Sequence, residues 1–330
     1  MKLKKFIVLV LSLIIVLTAV FLYLFLTRNP LLWDIPIISR NLAAPNFLFS
    51  FGDTPGPGQL KQPMAATFDG LGNLHITDFA NAEILIFKPD GTFLEGYGKY
   101  TAEEKKLASP YGIADYNGRI YVADHGMRSI QVYSENGEFL RTLLKSNPDT
   151  ESGVFIPTAL TVDRENGTIY VADVFRHRIL VVDQQGNYIE SLPRDPAEVN
   201  LSYPNGVCLD AEGNIIVADS NNARVLIFSR NGEEEPRILD GIKNRENTLS
   251  VPRGVAVDSR GNIWLADLLT HKINIFKNNK LEIQFGGLGM SDGELYFPNS
   301  LELSQDGNLY VLESGRGRVS VFGYRMGSAN

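Results

Sequence analysis

Pro204-Asn205-Gly206-Val207-Cys208-Leu209-Asp210-Ala211-Glu212-Gly213-Asn214-Ile215-Ile216-Val217-Ala218-Asp219-Ser220-Asn221-Asn222-Ala223-Arg224-Val225 decides the fold of this 330-residue chain, because the same pattern occurs six times. The prolines that open the six copies are Pro63, Pro110, Pro157, Pro204, Pro252 and Pro298, a spacing of 47, 47, 47, 48 and 46 residues. A fixed period of this length marks a repeat architecture and must be recognised before any local reading.

Each copy has the same order. A proline leads an apolar strand, a turn carries a glycine (Gly72, Gly118, Gly167, Gly213, Gly261, Gly307), and a second strand ends in a carboxylate (Asp78, Asp124, Asp173, Asp219, Asp267, Glu313). A short polar loop follows, then a third strand with apolar residues in alternation, such as Ile84/Ile86, Val225/Ile227 and Val319/Val321. That period of two is a strand signature. Asp90-Gly91, Asn136-Gly137, Gln185-Gly186 and Asn231-Gly232 then predict a hairpin into a weaker fourth strand. A unit of four antiparallel strands in about 47 residues is a propeller blade, and second strands apolar on both faces fit a sheet covered on both sides.

Six blades require the ring to close. Phe47-Leu48-Phe49-Ser50-Phe51-Gly52 before Pro63 repeats Leu281-Glu282-Ile283-Gln284-Phe285-Gly286 before Pro298, whereas the sixth copy runs out after its third strand at Phe322. Residues 46–52 are therefore expected to supply the outer strand of the last blade, which removes a free edge. The fold class is all-β, a six-bladed propeller of four-stranded antiparallel blades spanning 46–323, with a tail at 324–330.

The chain before the propeller has a different character. Residues 1–29 hold Lys2, Lys4, Lys5 and Arg28 and no acid, and Phe6–Leu26 contains no charge. Those 21 residues would span about 31 Å as a helix, the thickness of a bilayer core. Bulky residues end the run where a signal peptidase needs small ones, so residues 1–27 read as a cytoplasmic tip with an uncleaved transmembrane signal-anchor and 28–45 as a juxtamembrane tether. With three lysines before the span and Arg28 after it, the propeller is expected on the extracytoplasmic side of the cell membrane. The rest of the chain carries 27 basic and 38 acidic residues, without a basic cluster, which argues against nucleic acid as a partner.

The repeat resembles the NHL repeat, whose consensus Pro-x-Gly-(Val/Ile)-Ala-x-Asp, Gly-Asn-(Ile/Leu)-Tyr-Val-Ala-Asp and Asn-x-Arg-(Ile/Val) is nearly reproduced by residues 204–225. The likeness covers the whole domain. It implies a NHL/TolB-like propeller and, as in the extracytoplasmic sensor domains of some bacterial receptor kinases, a binding, scaffold or sensor module for a protein, peptide or envelope glycan. No kinase is joined to this chain.

Residues present in every copy are expected to hold blades together, above all the carboxylate column and the basic column Arg178, Arg224, Lys272 and Arg318. Departures from the repeat are the functional candidates. The residues after each proline and after each carboxylate should meet at one face of the ring, which nominates Tyr111, His125, Phe175, Asn205, Arg253, Leu268 and Asn299 as a ligand-binding surface. Cys208, the one cysteine, reads as a small core residue, and no intramolecular disulfide can form.

No cofactor is expected on the binding reading. His75, His125, His177 and His271 do not converge in the repeat, which argues against the three-histidine zinc site of the peptide-amidating lyases that NHL propellers resemble. The runner-up is enzymatic. Pro204-Asn205-Gly206 with Asp219-Ser220, and Pro298-Asn299-Ser300 with Glu313-Ser314, look like segments of SMP-30/gluconolactonase and strictosidine-synthase-like propellers. That resemblance implies a calcium-dependent lactone or ester hydrolase using the central channel, with Asn205 and Asn299 as metal ligands.

Overall fold

The computed structural model describes residues 43–99, 107–195, 199–232, 234–240 and 249–324. The expected signal-anchor, all but the last three residues of the tether, and the tail from 325 lie outside the described residues. Among those described, no helix is long and apolar enough to cross a membrane.

Six four-stranded antiparallel sheets are formed. Their inner strands are Pro63–Phe68, Pro110–Tyr116, Pro157–Val162, Pro204–Leu209, Pro252–Val257 and Pro298–Leu303, which define blades one to six. Each inner strand packs beside those of both neighbours, and blade six meets blade one, so the ring is closed. In every blade the leading proline faces the carboxylate that ends the second strand, as in Pro204 opposite Asp219. Proline suits this terminal position because it has no N–H to give to the ladder.

The apolar pattern is satisfied between blades. One cluster joins Tyr121, Val132 and Leu144 of blade two to Leu160, Val171 and Leu180 of blade three. Another joins Ile215, Val217 and Leu226 of blade four to Tyr170 and Ile179 of blade three. Every second strand except its exposed first residue in blade two is buried throughout. Fourth strands lie at the periphery and are largely half-exposed, which is why their sequence signal is weak.

Ring closure follows the sequence expectation. Asn46–Phe51 is the outer strand of blade six, with Asn46 opposite Gly323 and Phe51 opposite Val319. Phe51 is nearly buried and its ring lies 5.0 Å from that of Phe87, so the closing strand also packs on blade one. The hairpins into the fourth strands differ from the simplest expectation. In Lys88–Gly91 only the glycine is left-handed, with φ +85°, and the register shifts at Ile86/Phe87. This is the type I turn with a glycine bulge. The mirror-type two-residue turn occurs in blade five, where Asn278 and Asn279 both have positive φ.

Truncating Phe51 to alanine is expected to destabilise the propeller by about 3–5 kcal/mol, since it opens the joint between the two chain ends. Phe175→Ala, at a side chain 54% exposed, serves as the control and should change stability by no more than about 0.5 kcal/mol. Urea unfolding followed by far-ultraviolet circular dichroism measures both.

Candidate functional site

The top of the propeller is organised by the carboxylate column, all six members of which are fully buried. Asp124 accepts the backbone N–H groups of Ala108, Ser109 and Met127. Asp267 does the same for Ser250 and Val251. Each carboxylate thus ties the loop entering its blade to the loop leaving the second strand. Arg178, Arg224 and Arg318 pair with Asp173, Asp219 and Glu313 at 2.7–2.9 Å. Lys272 departs from that column, because its shorter reach takes it to Gln284 Oε1 at 2.6 Å.

The inner strand bulges just after each proline, with a register shift at Pro63/Ala65, Pro204/Gly206 and their equivalents. Bulges turn side chains out of the regular alternation. Here they carry Met64, Tyr111, Thr158, Asn205, Arg253 and Asn299 to the wall of a central channel of about 470 Å³. Gly206 permits the crowding around it, since a Cβ there would lie 2.0 Å from Arg253 O.

These mouth residues close a circuit of hydrogen bonds around the ring. Thr77 Oγ1 donates to Tyr111 O at 2.6 Å, joining blades one and two, and His125 reaches the Pro157 carbonyl to join two and three. Thr158 Oγ1 donates to Pro204 O at 3.2 Å, and Ser220 Oγ to Pro252 O at 2.5 Å. Arg253 Nη1 donates to Asn299 Oδ1 at 2.8 Å, and Asn299 Nδ2 to Met64 O at 2.8 Å, completing the circle.

The nominated residues therefore separate into groups. Tyr111, Asn205, Arg253 and Asn299 line the channel. His125 stacks on Tyr111 with ring centroids 4.8 Å apart, and its Nδ1 is buried without a partner. Burial lowers its pKa, so the ring is neutral at pH 7. Phe175 and Leu268 stand outside the channel wall, Phe175 in solvent and Leu268 half-buried with its N–H bonded to Val251 O. His177 and His271 accept the backbone N–H groups of Tyr203 and Phe297, and His75 is buried between Asp69 and Tyr97. Cys208 packs against the core between blades four and five, as expected, and also borders the channel, being half-buried.

Arg253 is the distinctive group. Its guanidinium is taken out of water, which lowers its pKa, and no carboxylate of a described residue lies within ion-pairing distance. Asn299 fixes Nη1, while Nε is buried without a partner. Across the channel, Tyr111 is close enough to interact with its charge. A fixed guanidinium on the channel wall is suited to a planar anion or a carbonyl oxygen.

The same arrangement does not fit calcium at Asn205 and Asn299. The Asn299 oxygen is taken by a cationic donor; Asn205 donates through Nδ2 to Tyr203 O and Ser220 Oγ, which leaves its Oδ1 as the one amide oxygen of the pair. No carboxylate stands among the six residues after the prolines, whereas calcium seeks six to eight oxygens. Among the described residues no group of three histidine, cysteine, aspartate or glutamate side chains could hold a metal ion.

Deeper in the channel is a residue that the sequence reading missed. The fourth positions after the prolines are Thr67, Ala114, Thr161, Cys208, Ala256 and Glu302, and the single acid among them was visible as a departure from the repeat. Burial pushes the Glu302 carboxyl up to about 8, against the backbone hydrogen bond from Phe68 and the attraction of Arg164. Asp115, one step further from the mouth, is pushed up to about 6 by burial and by Glu135, and its Oδ1 is buried without a partner.

The architecture defines an NHL-type six-bladed propeller. This chain belongs to the SMP-30/Gluconolactonase/LRE-like family, whose profile matches residues 49–244, more than half of its length. A 44-residue stretch is 48% identical to mouse (Mus musculus) NHL-repeat-containing protein 4; it covers 13% of this chain and 32% of that relative. A gluconolactonase from Xanthomonas campestris superposes with a TM-score of 0.64 over 86% of this chain and 95% of its own, at 14% identity. Virginiamycin B lyase from Staphylococcus aureus gives 0.56 over 80% and 81%, at 16% identity. At such identities the two structures speak to the fold alone.

Two consequences are measurable. Asp219→Asn, which breaks the buried pair with Arg224, should cost about 3–5 kcal/mol in chemical denaturation. For Glu302, the folded protein keeps its proton up to about pH 8 while the unfolded chain loses it near the ordinary carboxyl value. The folded state thus binds more protons, and stability falls as pH rises between those values. Glu302→Gln should flatten that part of the melting-temperature profile between pH 5 and 8.

Proposed function

We propose that this protein is a membrane-tethered, extracytoplasmic binding propeller whose channel mouth recognises a small ligand through a carboxylate or similar planar anion. The observation that carries this reading is Arg253, a desolvated guanidinium held by Asn299 with Nε unpaired and no acidic partner among the described residues. An uncompensated buried charge is costly, and a bound anion offsets that cost. Tyr111, stacked on His125, supplies an aromatic wall and a phenol opposite Arg253, and Asn205 adds an amide beside it. The exposed Phe175 of blade three and the Leu268 loop of blade five extend the surface on which a larger partner, a protein, peptide or glycan, would rest. The tether is supported by the uncharged run Phe6–Leu26 and its flanking lysines.

Family membership favours a second reading, hydrolysis of a lactone or ester in the channel. Arg253 would then polarise the carbonyl as a preorganised donor, since the residues at the mouth do not suit calcium.

Isothermal titration with small carboxylates and their neutral amides separates these ideas. Carboxylates should bind more tightly than amides, and Arg253→Gln should weaken them about 10- to 150-fold, the worth of a charged hydrogen bond. Equal binding of acid and amide would overturn the anion seat. Calcium and chelator should give the same melting temperature; a rise with calcium would restore the metal-dependent hydrolase. Recovery of the chain in alkali-washed membranes, with the propeller open to protease on intact cells, is the expected result for the tether, and release by alkali would refute it.

A further inference from the structure

The channel holds a basic and an acidic side chain at different depths. Arg253 stands at the mouth, its guanidinium fixed at the level of Asn299 by the bond to that side chain. Glu302 lies on the same inner strand as Asn299, three residues further in, and borders the same cavity. No ion pair reaches Glu302 from a described residue. Three strand residues span about 10 Å. Between the two levels the strands of blades five and six bring Gly254, Ala256 and Ser300 to the wall, beside the buried Val255 and Leu301.

We propose that the channel takes a short zwitterionic peptide end-on, its terminal carboxylate on Arg253 and its terminal ammonium on Glu302. The inference rests on the anion seat at Arg253 and adds the second pole, and with it the substrate class. Extended peptide advances about 3.3–3.6 Å per residue, so a separation of about 10 Å corresponds to three residues. The cavity of about 470 Å³ falls in the range of small-molecule sites. Asp115 deepens the negative pole with its unpartnered Oδ1.

The groups around Glu302 set how binding is linked to protons. Phe68 of blade one gives it a backbone hydrogen bond, and Tyr310 is its partner on the adjacent strand. Arg164 attracts it from blade three, and Cys208 senses its charge from blade four, the thiol being pushed well up by burial. When the channel is empty, the carboxyl holds its proton at pH 7. An ammonium that binds there favours the carboxylate, and the proton leaves to solvent.

The test uses the full chain in detergent and oligo-alanines of two to five residues, with tri-alanine also prepared N-acetylated and as its C-terminal amide. Titration at pH 7 in buffers of different ionisation enthalpy should show tightest binding near three residues and release of close to one proton per peptide. Each blocked form should bind at least tenfold more weakly. Glu302→Gln, which keeps the shape of the protonated acid, should abolish proton release and the preference for a free amine while leaving the preference for a free carboxylate. Equal affinity of the acetylated and free peptides, with the C-terminal amide still weak, would remove the Glu302 pole and leave the Arg253 seat standing. Equal affinity of all three forms, or no binding of any oligo-alanine, would overturn the peptide channel.

Discussion

Six carboxylates that water does not touch hold the upper rim of this propeller, each accepting a backbone N–H from the loop that enters its blade. A buried carboxylate with fewer partners would protonate or unfold its surroundings, so the loops have little choice of conformation. That constraint fixes where the strand after each proline begins, places the bulge, and aims the next side chain at the channel. Arg178, Arg224 and Arg318 reinforce three of the six positions, and Lys272 shows that the column tolerates a blade in which the cation turns elsewhere.

The rim serves two ends with the same residues. Thr77, Thr158, Ser220, Arg253 and Asn299 each use a polar atom to bridge neighbouring blades, so a mouth that looks like a free binding surface is partly spent on holding the ring together. What is left over is informative: Arg253 Nε and His125 Nδ1. Within a family whose name refers to gluconolactonase, this chain puts a fixed cationic side chain among the channel asparagines. On the proposed reading, its mouth acts as an anion or carbonyl receptor.

The acidic balance of the chain hides this arrangement. Net charge says nothing about where single ionisable groups are desolvated, and both Arg253 and Glu302 line the central channel. A charge there is screened less than the many solvated charges of the outer strands.

The sequence alone determined the period, the number of blades, the order of strands and the closure of the ring by residues 46–51, because those features rest on local patterns repeated six times and on turn chemistry that acts within a few residues. It also determined that Tyr111, Asn205, Arg253 and Asn299 share the channel, since equal positions in equal blades must lie on one circle. The tertiary structure decided what no single copy contains. Which atoms are already engaged depends on the neighbouring blade, so the Arg253–Asn299 bond and the poor fit for calcium became visible only with the ring assembled. Phe175 and Leu268, by contrast, stand outside the channel lining. Glu302 was present as a departure from the repeat, yet its importance came from burial, a property of all six blades together.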